Sequence, residues 1–332
     1  MYYVGLDIHK KNTQACVKNE NGKVISSARF QSDVDHIGVF LDRLGTAKAK
    51  IAMEATGFYE FIYDAIEARG YEVVLAHPLK LKALTAGRAK TDRNDAEMLA
   101  ELLRINAIPC SYVPPKEVRR LRDLTRHRES LMMQSTRMKN KIRAELARLG
   151  IVPPKDARSS FSKKFVRWLR SLGNPVVDDH LDILEIPQQK IGKAEKEIEE
   201  ESQDDEELRL LQTIPGVGHI VASTVKAEVG NLSRFRSAEA LASYAGLIPA
   251  LRQSGERSYS AGMSRHGNSR LRYVLTEAVH VHVMFCEESR LTAFFRRKKE
   301  EKGGKKATVA TAKKLIEVMY AMALRKEEFH AH

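Results

Sequence analysis

Four carboxylates in this sequence could hold a divalent cation, and two of them set the pattern. In the stretch from Ala89 to Leu103, AKTDRNDAEMLAELL, Asp92 and Asp95 lie three residues apart, so on a helix they share one face. The helix is predicted by Ala96, Met98, Leu99, Ala100, Leu102 and Leu103 at helical spacing, with Thr91 as its N-cap. Acids in a first turn also favour the positive end of a helix dipole, whether or not they bind anything. What distinguishes this pair lies upstream. Asp7 sits inside the apolar run Tyr3-Val4-Gly5-Leu6-Asp7-Ile8, and Glu54 inside Lys50-Ile51-Ala52-Met53-Glu54-Ala55. A carboxylate in a strand that reads as buried is costly unless it is paired, hydrogen-bonded or bound to metal. Asp7, Glu54, Asp92 and Asp95 make an all-oxygen donor set, which suits Mg²⁺ or Mn²⁺ rather than zinc.

A second group that could do chemistry is Ser254, which precedes Gly255 and is flanked by Arg252, Arg257 and Arg265. A serine before glycine is ordinarily a turn residue. Arginines around it, however, are what a scissile phosphate needs for positioning and charge neutralisation. Ser258, Ser260 and Ser264 are nearby alternatives.

The elements that must position these groups follow from periodicity. Strands are predicted over Tyr3 to Ile8, Thr13 to Lys18 and Val24 to Phe30, with Asn-Gly turn chemistry at Asn21-Gly22. A helix follows over Val34 to Leu44, then a short buried strand from Lys50 to Met53 with Glu54 at its end. A second helix runs through Phe61, Ile62, Ala65 and Ile66 to Gly70, and Tyr71 to Ala76 is one more strand. Three antiparallel strands followed by helix, strand, helix, strand and helix is the order of an RNase H-like α/β domain. That architecture would make Asp7 and Glu54 neighbours.

From Pro114 to Leu149 an apolar stripe of Val118, Leu121, Leu124, Leu131, Ile142 and Leu146 is surrounded by arginine and lysine, which predicts a long basic helix. His180 to Glu201 reads as a second long helix, heptad-like without being a clean heptad. At Leu210 a last region opens with Thr213-Ile214-Pro215-Gly216-Val217-Gly218-His219, a helix-hairpin-helix pattern. There Gly216 and Gly218 would let the backbone approach a phosphate at the next helix N-terminus. Gly262 to Asn268 reads as part of a polar loop, and Thr308 to Arg325 as the closing helix.

The chain of 332 residues carries 56 Lys and Arg against 43 Asp and Glu, a formal net charge of +13, which points to a polyanionic partner, nucleic acid first. It has no apolar run long enough to span a bilayer and no signal-peptide pattern at Met1-Tyr2-Tyr3, so a cytoplasmic protein with no membrane partner is expected. Cys16, Cys110 and Cys286 are far apart, with no zinc or disulfide spacing.

Six motifs, taken together, carry a resemblance. GLDIHK at Asp7, MEATG at Glu54, KTDRNDA at Asp92 and Asp95, IPGVG at Gly216, GLIPALRQSG at Ser254 and MSRHGNSRLR from Met263 occur in this order over almost the whole chain. The sequence resembles the DEDD transposases of the bacterial insertion-sequence family called one-ten. The resemblance implies a RuvC-like, RNase H-fold domain over 1–108, a helical coiled-coil middle over 109–205 and, over 206–332, a mainly α transposase domain with a helix-hairpin-helix and a catalytic serine. It implies that Asp7, Glu54, Asp92 and Asp95 are the metal set and Ser254 the nucleophile. It implies Mg²⁺ between the acidic cluster of one protomer and the serine domain of another, hence a homo-oligomer, dimer or tetramer, acting on DNA. An RNA encoded by the element would act as the guide, and the protein would sit at the bacterial nucleoid when active. One departure is Gln253, where many relatives carry another serine. The expected activity is strand exchange through a transient phosphoserine link. Two other readings stand beside it: a RuvC-like, metal-dependent, structure-selective DNA endonuclease that uses water, and a nucleic-acid-binding protein whose acids only cap helices.

Overall fold

The computed structural model describes residues 1–45, 48–84, 91–154, 161–254, 257–263 and 267–331, and for 249–254 and 257–263 the backbone alone. Its contacts divide the chain into two units, Met1–Val113 and Pro114–His332.

The first unit is a sheet with helices on both faces. Its elements are β1 (Tyr2–Ile8), β2 (Asn12–Lys18), β3 (Val24–Gln31), α1 (Val34–Arg43), β4 (Ala49–Glu54), α2 (Glu60–Glu67), β5 (Glu72–Ala76), α3 (Pro78–Leu84) and α4 (Asp92–Arg104). The strand order is β3-β2-β1-β4-β5. β1 pairs antiparallel with β2 and parallel with β4, and β4 pairs parallel with β5, so the carboxyl ends of β1, β4 and β5 form one edge. Side chains alternate across a strand, and both faces of the centre are filled. Val4, Leu6, Ile51 and Met53 pack with Ile37, Leu41, Ile62 and Ile66 of α1 and α2. On the other face Ala52 packs with Leu81 of α3 and with Met98, Leu99 and Leu103 of α4. Gly5 lies on this second face. A Cβ there would stand 2.1 Å from the Ala96 carbonyl oxygen and 2.5 Å from the Ala100 nitrogen, so only glycine admits the helix at this distance. α3 was not expected: Pro78 reads as the end of β5, yet it is the first residue of a short helix, where its missing N–H costs nothing.

The second unit comprises α5 (Lys116–Arg148), α6 (Lys163–Ser171), α7 (Pro175–Ser202), α8 (Glu206–Gln212), α9 (His219–Val229), α10 (Ala238–Tyr244), the hairpin β6 (Pro249–Ser254) and β7 (Arg257–Met263), α11 (Ser269–Phe285), α12 (Arg290–Lys302) and α13 (Gly304–Arg325). α5, α6 and α7 share a core of Ile142, Leu146, Phe165, Leu169, Val177, Leu181 and Leu184. A larger core joins α8 through α13 around Leu211, Val225, Leu275, Leu315 and Met319. Leu121 of α5, Ile198 of α7 and Ala227 of α9 pack together. The packing therefore runs on through residue 205, where the resemblance implies a boundary, and the helical middle and the last helices form one body.

The stretch read as a polar loop is in large part an antiparallel ribbon, with Pro249 opposite Met263, Arg252 opposite Tyr259 and Ser254 opposite Arg257. Its strands carry polar residues on both faces, so no alternation betrays them.

Candidate active site

Register and pleat bring Asp7 and Glu54 to one strand edge. Leu6 is paired with Met53, and Asp7 and Glu54 each follow by one residue. They are therefore neighbours on adjacent strands, on the face that Gly5 and Ala52 turn to α4. α4 begins where that face ends: Thr91 is its N-cap, its hydroxyl accepting from Asn94 N at 3.2 Å, and Asp92 and Asp95 fill its first turn. The positive end of the helix dipole thus meets the acids.

His9 completes the cluster. Its Nε2 lies 3.0 Å from Asp7 Oδ2 and 3.3 Å from Asp92 Oδ1, and Asp7, His9 and Asp92 offer ligand atoms within 4.8 Å of one another. Burial pushes the Asp7 carboxyl up from its ordinary value, and the charges of Asp95 and Asp92 add to this while His9 opposes it. Glu54 is half-buried at the end of β4. Just beyond it, the buried Thr56 Oγ1 has no hydrogen-bond partner among the described residues. A crowded group of oxygens in which neighbouring aspartates raise the proton affinity of Asp7, beside an orphaned hydroxyl, fits a hard divalent cation. The sequence reading missed His9 and Gly5, although a period of two from Asp7 reaches both.

The seat of α4 is also fixed by charge. The ammonium of Lys18 on β2, almost fully buried, lies 3.1 Å from Glu101 Oε2 and 3.3 Å from Glu97 Oε1, and Arg104 pairs with Glu101.

In the second unit the expected site residues have separate settings. Ser254 ends β6 at the tip of the ribbon, Arg252 lies two residues before it and Arg257 begins β7 opposite it; their side chains, and all of Arg265, lie outside the described residues. Gly216 has φ +90°, and a Cβ there would lie 2.7 Å from the Ala278 oxygen and the His282 nitrogen of α11. Packing against α11 is thus the reason for this glycine. Gly218 is exposed, is the N-cap of α9 without a side-chain cap, and would meet nothing within 4 Å if it carried a Cβ.

The basic helix sorts its cations by position. Toward its start, Arg120 pairs with Glu201, Arg126 with Glu228 and Arg128 with Glu195. Between Glu129 and Glu145 there is no acid, and Arg137, Lys141 and Arg143 are exposed. Lys139 and Arg143 lie over the Phe161 ring, at 5.7 and 5.2 Å from its centroid.

Ser289 and His282 look like a nucleophile and its base, with Ser289 Oγ 2.7 Å from His282 Nε2. Both are buried, and His282 Nδ1 donates to the Pro215 carbonyl at 2.7 Å. The pair locks the 213–218 turn onto α11 and no phosphate can reach it.

An α/β sheet with an acidic carboxyl edge, carried on one chain with a basic helical unit, has the build of a protein that processes nucleic acid. Two family models match in sequence: the DEDD transposase model over residues 4–151, and the transposase model of the IS116/IS110/IS902 family over residues 208–296. The chain belongs to this family of insertion-sequence transposases. The transposase for insertion sequence element IS1111A of Coxiella burnetii is 25% identical, over 98% of this chain and 90% of that protein. The transposase for insertion sequence element IS1328 of Yersinia enterocolitica is 23% identical over 98% of each. A pilin gene-inverting protein of Moraxella bovis is 25% identical over 98% of this chain and 97% of its own length. The chain is accordingly a DNA-processing enzyme. Among the described residues no helix is long and apolar enough to cross a membrane.

Proposed function

We propose that this transposase cuts and exchanges DNA strands through a transient phosphoserine link at Ser254, on a RuvC-like, RNase H-type scaffold whose acids hold Mg²⁺ or Mn²⁺. The observation that carries the reading is the meeting of Asp7 and Asp92 at one strand edge, with Asp95 close enough to raise the Asp7 carboxyl. The strand order β3-β2-β1-β4-β5 supports the scaffold. Asp7, Glu54, Asp92 and Asp95 would hold the cation, which when bound supplies Lewis-acid charge neutralisation at the phosphoryl oxygens.

Ser254 Oγ forms the bond to phosphorus as the bond to the sugar oxygen breaks, and that oxygen takes up a proton as a free hydroxyl. A DNA hydroxyl later makes the reverse attack and releases the serine. Arg252, Arg257 and Arg265 neutralise and orient the phosphate, and Gly218, with the open start of α9, contacts the backbone of the DNA. The gene-inverting relative favours exchange over hydrolysis, because inversion rejoins every cut end and a covalent link preserves the phosphodiester energy that water would release. The exposed cations from Arg137 to Arg143 support contact with an element-encoded guide RNA. Exchange between two DNA sites calls for a homo-oligomer, dimer or tetramer, working at the bacterial nucleoid.

The test is a denaturing gel of the protein with its co-purifying RNA, Mg²⁺ and DNA carrying the element's junction. A protein–DNA adduct in wild type and none in Ser254→Ala is the expected result. Free nicked DNA, equal in both proteins and without adduct, overturns the serine reading in favour of a water-using, structure-selective endonuclease.

A further inference from the structure

We propose that Glu228 and Asn268 are positioning residues for Ser254, acting by holding the root of the β6–β7 ribbon; this rests on the reading of Ser254 as nucleophile. Glu228, near the end of α9, is 1% exposed, and a carboxylate so deep requires a full set of partners. Arg126 of α5 grips it twice, Nε to Oε1 at 2.7 Å and Nη2 to Oε2 at 2.9 Å. Asn268 Nδ2 donates to Oε2 at 2.7 Å. The other end of the same amide caps α11: Asn268 Oδ1 accepts from Arg270 N at 3.0 Å and Leu271 N at 3.1 Å. Glu228 therefore dictates which way the Asn268 amide faces.

Asn268 stands where the ribbon returns to the helices. Its own N–H donates to the Tyr244 carbonyl at 2.9 Å, and the Tyr244 hydroxyl donates to the Glu228 carbonyl at 3.0 Å. One residue earlier, Gly267 meets Gly246 backbone to backbone: a Cβ on Gly267 would lie 2.0 Å from the Gly246 Cα. The outgoing chain is held at the same point, with Leu247 N donating to the Ala242 carbonyl and Arg272 Nη1 to the Gly246 carbonyl. The chain is thus held at one clamp before the ribbon, at Gly246 and Leu247, and after it, at Gly267 and Asn268, and Glu228 is the charge at its centre.

Ser254 lies at the far end of that ribbon, five residues beyond Pro249. At about 3.4 Å per residue the lever is roughly 17 Å long, so a tilt of about 3° at the root moves the serine by about 1 Å. A displacement of about 1 Å at a reacting atom costs on the order of 100-fold in rate. A buried ion pair that served stability alone would show no such selectivity for the ribbon.

The variants that test this keep the cap and break the link. Asn268→Asp retains the capping oxygen but turns a second oxygen on Glu228, and Asn268→Ser retains a capping oxygen and removes the donor. Glu228→Gln combined with Asn268→Asp exchanges donor and acceptor across that bond and conserves charge, but gives up the second bond that Oε2 accepts from Arg126 Nη2. Each is made in the full chain with its co-purifying RNA and compared on the junction DNA with Mg²⁺. The readouts are the rate of adduct formation, DNA affinity, and hydrogen exchange of the amides of 249–254 and 257–263.

The single variants are expected to slow the adduct on the order of 100-fold, with unchanged DNA affinity and faster ribbon exchange. The double exchange is expected to restore both in part, since the glutamine oxygen still accepts from Arg126 Nε. Wild-type rate and exchange in Asn268→Asp and Asn268→Ser overturns the proposal, as does a loss of rate with no change in ribbon exchange. If wild type itself forms no adduct, the Ser254 reading fails, and ribbon exchange still decides whether Glu228 holds the root.

Discussion

The Ala96 carbonyl of α4 lies where a Cβ on Gly5 of β1 would have to be, at 2.1 Å. The strand and the helix that bring Asp7 to Asp92 therefore touch through the one residue in that strand without a side chain. Gly5→Ala is expected to lift the start of α4 off the sheet. Overpacking of this kind costs about 1–3 kcal/mol, so the melting temperature falls and metal-dependent cleavage is lost together with it. Thermal melting and a cleavage assay on the same preparation check this, and a variant with wild-type values in both would show that α4 can rise without moving its acids.

Asp92→Asn keeps the shape of the cluster and removes one charge from the set. A bound cation contributes several kcal/mol of charge stabilisation, so cleavage and adduct formation are expected to fall more than about 100-fold. DNA binding, measured by fluorescence anisotropy, is expected to persist. Activity undiminished by the change would leave Asp92 as a helix-capping acid and nothing more.

Much of this site is legible in the sequence, for a physical reason. Asp7 lies inside an apolar strand and Glu54 ends another, and a D-x-x-D at a helix start has one possible face, so burial cost and helical period single out all four acids as candidates before any fold is known. The antiparallel β1–β3 and the Thr91 cap follow from equally local chemistry. What escapes a linear reading is contact between distant segments. Gly5 and Gly216 look like turn or hinge residues, yet each exists to let a helix backbone come close. Glu228 looks like one more acid in a charged chain until Arg126 and Asn268, 102 and 40 residues away, close around it. β6 and β7 hide because their partner is each other, and neither has an apolar alternation in its sequence to reveal it.

Acid should weaken the seat of α4 in a defined window. Arg104, and after it Lys18, hold the Glu101 carboxyl down at about 2, against an ordinary value of 4.5. A carboxylate depressed by folding stabilises the fold fully above its unfolded value, and that contribution fades as pH falls from about 4.5 toward 2. A part-exposed pair of this kind contributes about 0.2–1 kcal/mol, and each kcal/mol corresponds to about 2–4 °C in a domain of this size or somewhat larger. Glu101→Gln is therefore expected to melt about 0.4–4 °C lower at pH 7 and together with wild type near pH 2. A difference that is constant across the titration would assign the effect to packing rather than to charge.

The two ends of α5 should differ in how salt acts on them. Arg120 and Arg128 already face Glu201 and Glu195, so a phosphate would have to displace a carboxylate to reach them. Arg137 and Lys141 stand exposed in the stretch without acids and would release condensed counterions directly. Each phosphate contact contributes about 0.7–0.9 to the slope of log K against log salt. Replacing Arg137 and Lys141 with alanine is expected to weaken binding to the co-purified RNA and to flatten that slope by about 1.4–1.8. Alanine at Arg120 and Arg128 is expected to leave the slope unchanged while lowering the melting temperature, since each replacement strands a carboxylate of α7. Equal slopes in both pairs of variants would mean that the nucleic acid does not lie along the outer half of this helix. A filter-binding series over a range of salt concentrations decides between the two outcomes.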